Sequence, residues 1–169
     1  SKAVPEIIRE NGGEPVRTRV GHSFIKAKMA ETNAVFGGEH SAHYYFRDFW
    51  RADSGMLAAM HVLAALGQQD KPLSEMMAKY NRYAASGEIN SRLDSAEAQA
   101  DRTEAVAKAF ADRAENVDRL DGVTVELKDG NWFNVRASNT EPLLRLNVEA
   151  DTQEAVDALV KEILAIIRA

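Results

Sequence analysis

The sequence predicts an α/β unit followed by an α+β unit: a truncated βαβ-type mixed-sheet domain over residues 1–83, then a small antiparallel-sheet domain with two helices over 84–169. Three observations lead there. Short apolar segments alternate with helical stripes up to about residue 80. The texture then shifts to a stretch rich in Ala, Glu, Asp and Arg. From residue 123 onward apolar residues recur with period two before a final helical stripe.

In chain order, residues 4–10 read as a helix closed by Asn11-Gly12-Gly13. Val16 to Val20 alternates apolar and basic residues, as a strand would. Gly21-His22-Ser23 opens a second helix that ends at Thr32-Asn33. Ala34-Val35-Phe36 and Tyr44-Tyr45-Phe46 read as strands, the first running into Gly37-Gly38. A strand, a helix and a strand in this order predict a parallel pair. Asp53-Ser54 caps the next helix, whose stripe is Met56, Leu57, Met60, Leu63 and Leu66, and Pro72 opens a shorter one.

In the second domain, residues 88–93 form a candidate strand and 95–115 an amphipathic helix. Val123, Val125 and Leu127 alternate, Asp129-Gly130 supplies a two-residue turn, and Trp132 to Arg136 returns. Leu144, Leu146 and Val148 alternate again. Asp151 caps the last helix in a capping box with Glu154, and Val156, Leu159, Val160, Ile163 and Ile167 hold helical spacing. The order is β-α-β-β-β-α, with both helices expected on one face. The first domain looks incomplete, because its opening helix has no strand before it. A chain that opens Ser1-Lys2-Ala3-Val4-Pro5 reads as beginning inside a larger protein.

Composition excludes several functions. A net charge of −5 argues against a nucleic-acid surface. With no cysteine there is no disulfide framework, thiolate zinc site or thiol nucleophile, which fits a cytoplasmic protein. No apolar run approaches the roughly 20 residues of a membrane span. Phosphate loops of the P-loop kind, dinucleotide fingerprints, nucleophile elbows and aspartate clusters for Mg²⁺ do not occur.

Two polar segments stand apart from the core pattern. In Gly37-Gly38-Glu39-His40-Ser41-Ala42-His43 a strand ends in two glycines, and a carboxylate, a hydroxyl and two imidazoles follow. Glu39 can accept hydrogen bonds from neighbouring sugar hydroxyls, Ser41 can donate or accept, and His43 can offer an N–H to a hydroxyl or phosphate oxygen. The same residues also make an ordinary polar turn. As metal ligands, Glu39, His40 and His43 are too bunched in sequence to converge. The second segment is Arg136-Ala137-Ser138-Asn139-Thr140, where a guanidinium fork, two hydroxyls, an amide and backbone N–H groups could cradle a phosphate, or simply form a long hairpin turn. Glu141 opposes a phosphate there unless it points away or pairs with Arg136 or Arg145. His22, at a helix N-terminus between Gly21 and Ser23, could meet an anion or serve as part of a plain cap.

Three ordered motifs resemble the α-D-phosphohexomutase family. Gly21-His22-Ser23-Phe24-Ile25-Lys26 is similar to a segment of its third domain. Gly38-Glu39-His40-Ser41-Ala42-His43 is similar to its sugar-specificity loop, usually Gly-Glu-X-Ser-Gly-His. Arg136 to Thr140 with Glu141-Pro142 resembles the phosphate loop of its fourth domain. The resemblance spans residues 4 to 169 and implies a C-terminal fragment of a bacterial phosphomannomutase/phosphoglucomutase, with phosphoglucosamine mutase or a non-catalytic sugar-phosphate binding module as alternatives.

In that family a phosphoserine, Mg²⁺ on an aspartate loop and a hexose 1,6-bisphosphate act in domains whose motifs are absent here. The resemblance therefore assigns His22 and His43 to catalysis, and Glu39, Ser41, Arg136, Ser138, Asn139 and Thr140 to substrate binding. It assigns no metal ligand to this chain. The partners it implies are a hexose phosphate and the remaining mutase domains, and the fragment alone is expected to be inactive. Ala42 stands where the family usually has Gly, so a positive φ there would strain the loop.

Overall fold

A computed structural model describes residues 1–138 and 141–169. The chain forms two compact units: residues 14–80, and residues 1–13 together with 81–169. The opening helix α1 (Ala3–Glu10) thus packs with the C-terminal residues. Arg82 pairs with Glu6 and Glu10, and the Tyr83 hydroxyl donates to Glu6 at 2.6 Å. Gly12, at φ +79°, closes α1 as the sequence predicts.

In the unit 14–80, residues 14–19 have no regular secondary structure, so the strand expected at Val16–Val20 is not formed. Helix α2 (His22–Thr32) starts at Gly21 and ends on Asn33 in the left-handed conformation. Strands β1 (Phe36–Gly38), β2 (Tyr44–Phe46) and β3 (Ala52–Asp53) follow and pair in the order β1-β2-β3, antiparallel throughout. The parallel pair expected from the βαβ pattern is corrected by this topology. With 16–20 irregular, the remaining strands are joined by links too short for a parallel crossover.

Helix α3 (Gly55–Gly67) is capped by Ser54, whose hydroxyl accepts from Leu57 N, and not by Asp53. It is apolar along most of its length yet buries no residue; Met56 is 79% exposed and Leu63 65%. A short helix α4 (Leu73–Ala78) ends the unit. Its core is small: Ile25, Met29 and Tyr45, with Ala34 against them.

The C-terminal unit is built on β4 (Ala84–Ala85), β5 (Ile89–Arg92), α5 (Ala96–Ala109), β6 (Ala114–Asp118), β7 (Val123–Leu127), β8 (Trp132–Ala137), β9 (Leu143–Ala150) and α6 (Gln153–Ile167). The sheet runs β4-β9-β8-β7-β6, with β5 also on β9. It is antiparallel, as predicted. Residues expected to continue the helix to 115 instead form a 3-10 turn (Ala111–Arg113) and enter β6. Helices α5 and α6 pack on each other and on the sheet. Between them lies a continuous core that includes Val106, Phe110, Phe133, Leu146, Val156 and Ile163. The rings of Phe110 and Phe133 meet edge-on at 4.8 Å.

Two local details differ from expectation. The cap of α6 is Thr152, whose hydroxyl accepts from Ala155 N, one residue beyond Asp151. The β7–β8 link is a three-residue turn: Gly130 N donates to Leu127 O and Leu127 N donates to Asn131 O, with Gly130 at φ +89°.

Candidate functional site

The unit 14–80 gathers the predicted groups at the mouth of the β1–β2 hairpin. The loop closes when Glu39 N donates to His43 O (2.9 Å) and Ala42 N to Glu39 O (3.1 Å), which forces Ala42 to φ +65°. This is the strained conformation the motif comparison anticipates at that position. Glu39 follows β1 and His43 precedes β2, so the two stand at the ends of the loop. His22 reaches them from the first turn of α2, its ring 4.9 Å from that of His43 and nearly perpendicular. Ser41 and His40 are exposed at the loop tip.

Two residues not singled out as functional join these groups. The Tyr45 hydroxyl donates to Glu39 Oε1 at 2.5 Å and lies 2.7 Å from Nδ1 of His22. The Tyr45 ring is fully buried. Burial, and then its hydrogen bond to the Glu39 carboxylate, raises the phenol well above its ordinary range. Asp53, expected as a helix cap, receives Tyr44 N on Oδ1 (2.8 Å) and faces Nδ1 of His43 with Oδ2 (2.6 Å). The His43 hydrogen bond, followed by that of Tyr44 N, holds the Asp53 carboxyl below the usual range. A carboxylate only accepts, so His43 Nδ1 carries the proton and the neutral ring has its lone pair on Nε2. A tyrosine two residues after a histidine, and so on the same face of extended chain, is the one sequence signal that could have flagged Tyr45.

Among the described residues, the three close enough to share an ion are His22, His43 and Asp53, with ligand atoms within 4.8 Å of one another. Two imidazoles and one carboxylate, the latter already engaged with Tyr44 N and His43, do not fit the oxygen-rich shell of Mg²⁺.

In the C-terminal unit, Arg136 lies near the end of β8, directly opposite Arg145 on β9. Their side chains point away from the helix-covered face, since the inward positions are Phe133, Val135, Leu144 and Leu146. Two like charges in register are unfavourable unless anions sit beside them. Arg136 Nε is 3.8 Å from Asp121, and Arg145 is 3.5 Å from Glu88 and 3.8 Å from Glu141. Arg145 also donates to the Ser138 hydroxyl at 3.4 Å, so it joins the predicted phosphate segment. Glu141 therefore pairs with Arg145, one of the expected arrangements that leave the segment open to an anion. Asn139 and Thr140 lie outside the described residues.

Comparison with known proteins agrees with this architecture. Residues 1–83 match the family model for phosphoglucomutase/phosphomannomutase, alpha/beta/alpha domain III, and residues 88–166 match the model for the phosphoglucomutase/phosphomannomutase C-terminal domain. The chain belongs to the phosphoglucomutase/phosphomannomutase family.

Relatives include a phosphomannomutase of Methanocaldococcus jannaschii, 42% identical over 99% of this chain and 36% of its own length. A phosphomannomutase of Escherichia coli is 41% identical over 96% of the chain and 35% of its own length. A phosphoglucomutase/phosphomannomutase family protein of Burkholderia thailandensis superposes with a TM-score of 0.78 at 30% identity, covering 98% of this chain and 35% of that one. The chain thus spans about a third of the length of the relatives it matches. No helix among the described residues is long and apolar enough to cross a membrane.

Proposed function

We propose that this chain supplies the sugar- and phosphate-holding loops of a phosphohexose mutase, which interconverts hexose 6-phosphate and hexose 1-phosphate through a phosphoserine and a bisphosphorylated sugar. The observation that carries the reading is the convergence of His22, Glu39 and His43. These residues come from two separate motifs: Glu39 and His22 share the Tyr45 hydroxyl, and the ring of His43, bonded to Asp53, lies 4.9 Å from that of His22.

In this role Glu39 and Ser41 hold sugar hydroxyls, and the two imidazoles position oxygens or move protons at the reacting end. Arg136, Ser138, Asn139 and Thr140 grip a phosphate, assisted by Arg145. Positioning and charge stabilisation supply most of the catalysis in phosphoryl transfer. The phosphoserine, the Mg²⁺ ligands and the hexose 1,6-bisphosphate activator belong to the remaining mutase domains, and the working compartment is the cytoplasm.

Titration of the purified chain with glucose 1-phosphate and mannose 1-phosphate, followed by chemical-shift changes at His22, His43 and Arg136, tests the reading. Weak saturable binding is expected, lost in Arg136→Ala. Unchanged affinity in that variant would remove the 136–140 segment from the site. Mutase turnover by this chain with Mg²⁺ and bisphosphate would overturn the assignment of the transfer centre to other domains.

A further inference from the structure

The Tyr45 hydroxyl has one proton and two neighbours. Glu39 is a carboxylate and can only accept, and it takes that proton at 2.5 Å. The hydroxyl therefore meets Nδ1 of His22, 2.7 Å away, with an oxygen lone pair. For that contact to be a hydrogen bond, Nδ1 must carry a proton. The neutral His22 ring is then the Nδ1–H tautomer, with its lone pair on Nε2.

We propose that Tyr45 is a positioning residue: its hydroxyl fixes His22 in the Nδ1–H form while pinning one oxygen of Glu39. The sugar-binding carboxylate and the imidazole are thereby set by a single buried side chain.

The surroundings suit such a role. Tyr45 sits at the centre of the three-stranded sheet, in register with Gly37 on one side and Asp53 on the other. Its ring is packed with Ile25 and Met29 of α2, the helix that carries His22. A Cβ at Gly37 would come within 3.0 Å of Met29 Sδ and 3.1 Å of Ile25 Cγ2, so the strand approaches α2 closely at this point. The phenol has little room to turn, and its hydroxyl direction is dictated by the carboxylate. His43 reaches the same tautomer by another route, through Asp53. Both rings therefore offer Nε2 as the basic atom. Applied to catalysis, this inference rests on the sugar-phosphate reading; the tautomer itself does not.

Two-bond ¹H–¹⁵N correlation spectra of the ¹⁵N-labelled chain, taken at a pH where imidazoles are neutral, distinguish the forms directly. The expected result is a pyrrole-like Nδ1 and a pyridine-like Nε2 for His22, reversed from the Nε2–H form that neutral histidine favours in water. Tyr45→Phe should move His22 towards the Nε2–H form. Glu39→Leu should do the same with the tyrosine retained, because a side chain with no acceptor frees the hydroxyl to donate to His22. This second variant decides the matter if the first fails to fold.

An Nε2–H His22 in the wild-type chain, or an unmoved Nδ1–H form in a folded Tyr45→Phe or Glu39→Leu variant, overturns the proposal. In the same samples Tyr45→Phe is expected to weaken glucose 1-phosphate binding about tenfold, the loss of one charge-assisted hydrogen bond. If the wild-type chain binds no sugar phosphate while the tautomer responds as stated, the functional reading fails and the positioning role of Tyr45 stands.

Discussion

Two hairpins in this protein close in the same way. At 39–43 and at 127–131, the first residue's N–H reaches the carbonyl four residues on. The fourth residue's N–H then returns to the first carbonyl. Both place that fourth residue in the left-handed region, but one has Gly130 there and the other Ala42. The glycine turn joins two strands of the C-terminal sheet, where a conformation free of Cβ penalty suits a structural link. The alanine turn carries Glu39 and His43. Strain of this kind persists only when the surroundings enforce it. Here the closing hydrogen bonds and the buried Tyr45 hold it.

The same contrast extends to the units. Among the described residues, the core of the C-terminal unit has sixteen buried residues, whereas that of the unit 14–80 has three, with an apolar helix left uncovered. Stability and chemistry are therefore unevenly distributed.

Several substitutions would break or sharpen this contrast. The largest effect belongs to Phe133→Ala, which removes a ring packed edge-on against Phe110. A loss of about 3–5 kcal/mol is expected for the C-terminal unit. Trp132 lies in that unit and Trp50 in the other, so denaturation of single-tryptophan variants reads each separately. A comparable shift in the Trp50 signal would contradict the division.

Next comes Gly122→Ala. Its φ is +68°, and an added Cβ would lie 2.3 Å from the Val135 carbonyl oxygen. Backbone strain and the clash together should cost about 2–4 kcal/mol.

The hairpin pair gives smaller effects of opposite sign. Gly130→Ala has open space for its methyl group and should destabilise by about 1 kcal/mol through φ alone. Ala42→Gly should stabilise the unit 14–80 by about 0.5–1 kcal/mol, since relief of strain exceeds the added chain entropy. Thermal melts of the two variants side by side test whether the turns are equivalent.

At high pH both units should weaken through tyrosine. Hydrogen bonding to Glu6, then burial, raises the Tyr83 phenol to about 12. A phenol whose folded pKa exceeds its unfolded value contributes stability that is present below about pH 10 and fades as pH rises towards the folded value. Tyr83→Phe should flatten that alkaline slope for the C-terminal unit in stability measured against pH. A slope unchanged in the variant would assign it to other groups. The smallest effect is expected from Met56→Lys, because Met56 is largely exposed; its stability should stay within about 0.5 kcal/mol.

Local patterns carried much of this structure. α6, α2 and the β7–β8–β9 meander follow from periodicity, since each buries one face against the core of its own unit. The β6 strand escaped because it lies at the sheet edge and Glu115, Asn116 and Val117 are exposed, leaving no alternation to read. Val16–Val20 alternates and is nevertheless irregular, because alternation forms a strand only where a neighbour accepts it. Of the pair Asp53-Ser54 it is Ser54 that caps α3, and the α6 cap moved by one residue, from Asp151 to Thr152. In each case two adjacent polar residues could serve, and backbone geometry chose.

The candidate site divides along the same line. His22, Glu39, Ser41, His43, Arg136 and Ser138 could be named from the sequence alone, because loops with dense polar groups stand out against core patterning. Ala42 could be flagged there too as a potential source of strain. Tyr45, Asp53 and Arg145 are not among the site residues that the sequence reading assigns. Within their own segments they are a strand residue, a cap and a turn flank. Tyr45 meets His22 across 23 positions, Asp53 meets His43 across 10, and Arg145 faces Arg136 only once β8 and β9 pair. Sequence determined which groups exist and which segments hold them. Tertiary structure decided which oxygen meets which nitrogen, because a hydrogen bond is settled within about 3 Å of space and not by separation along the chain.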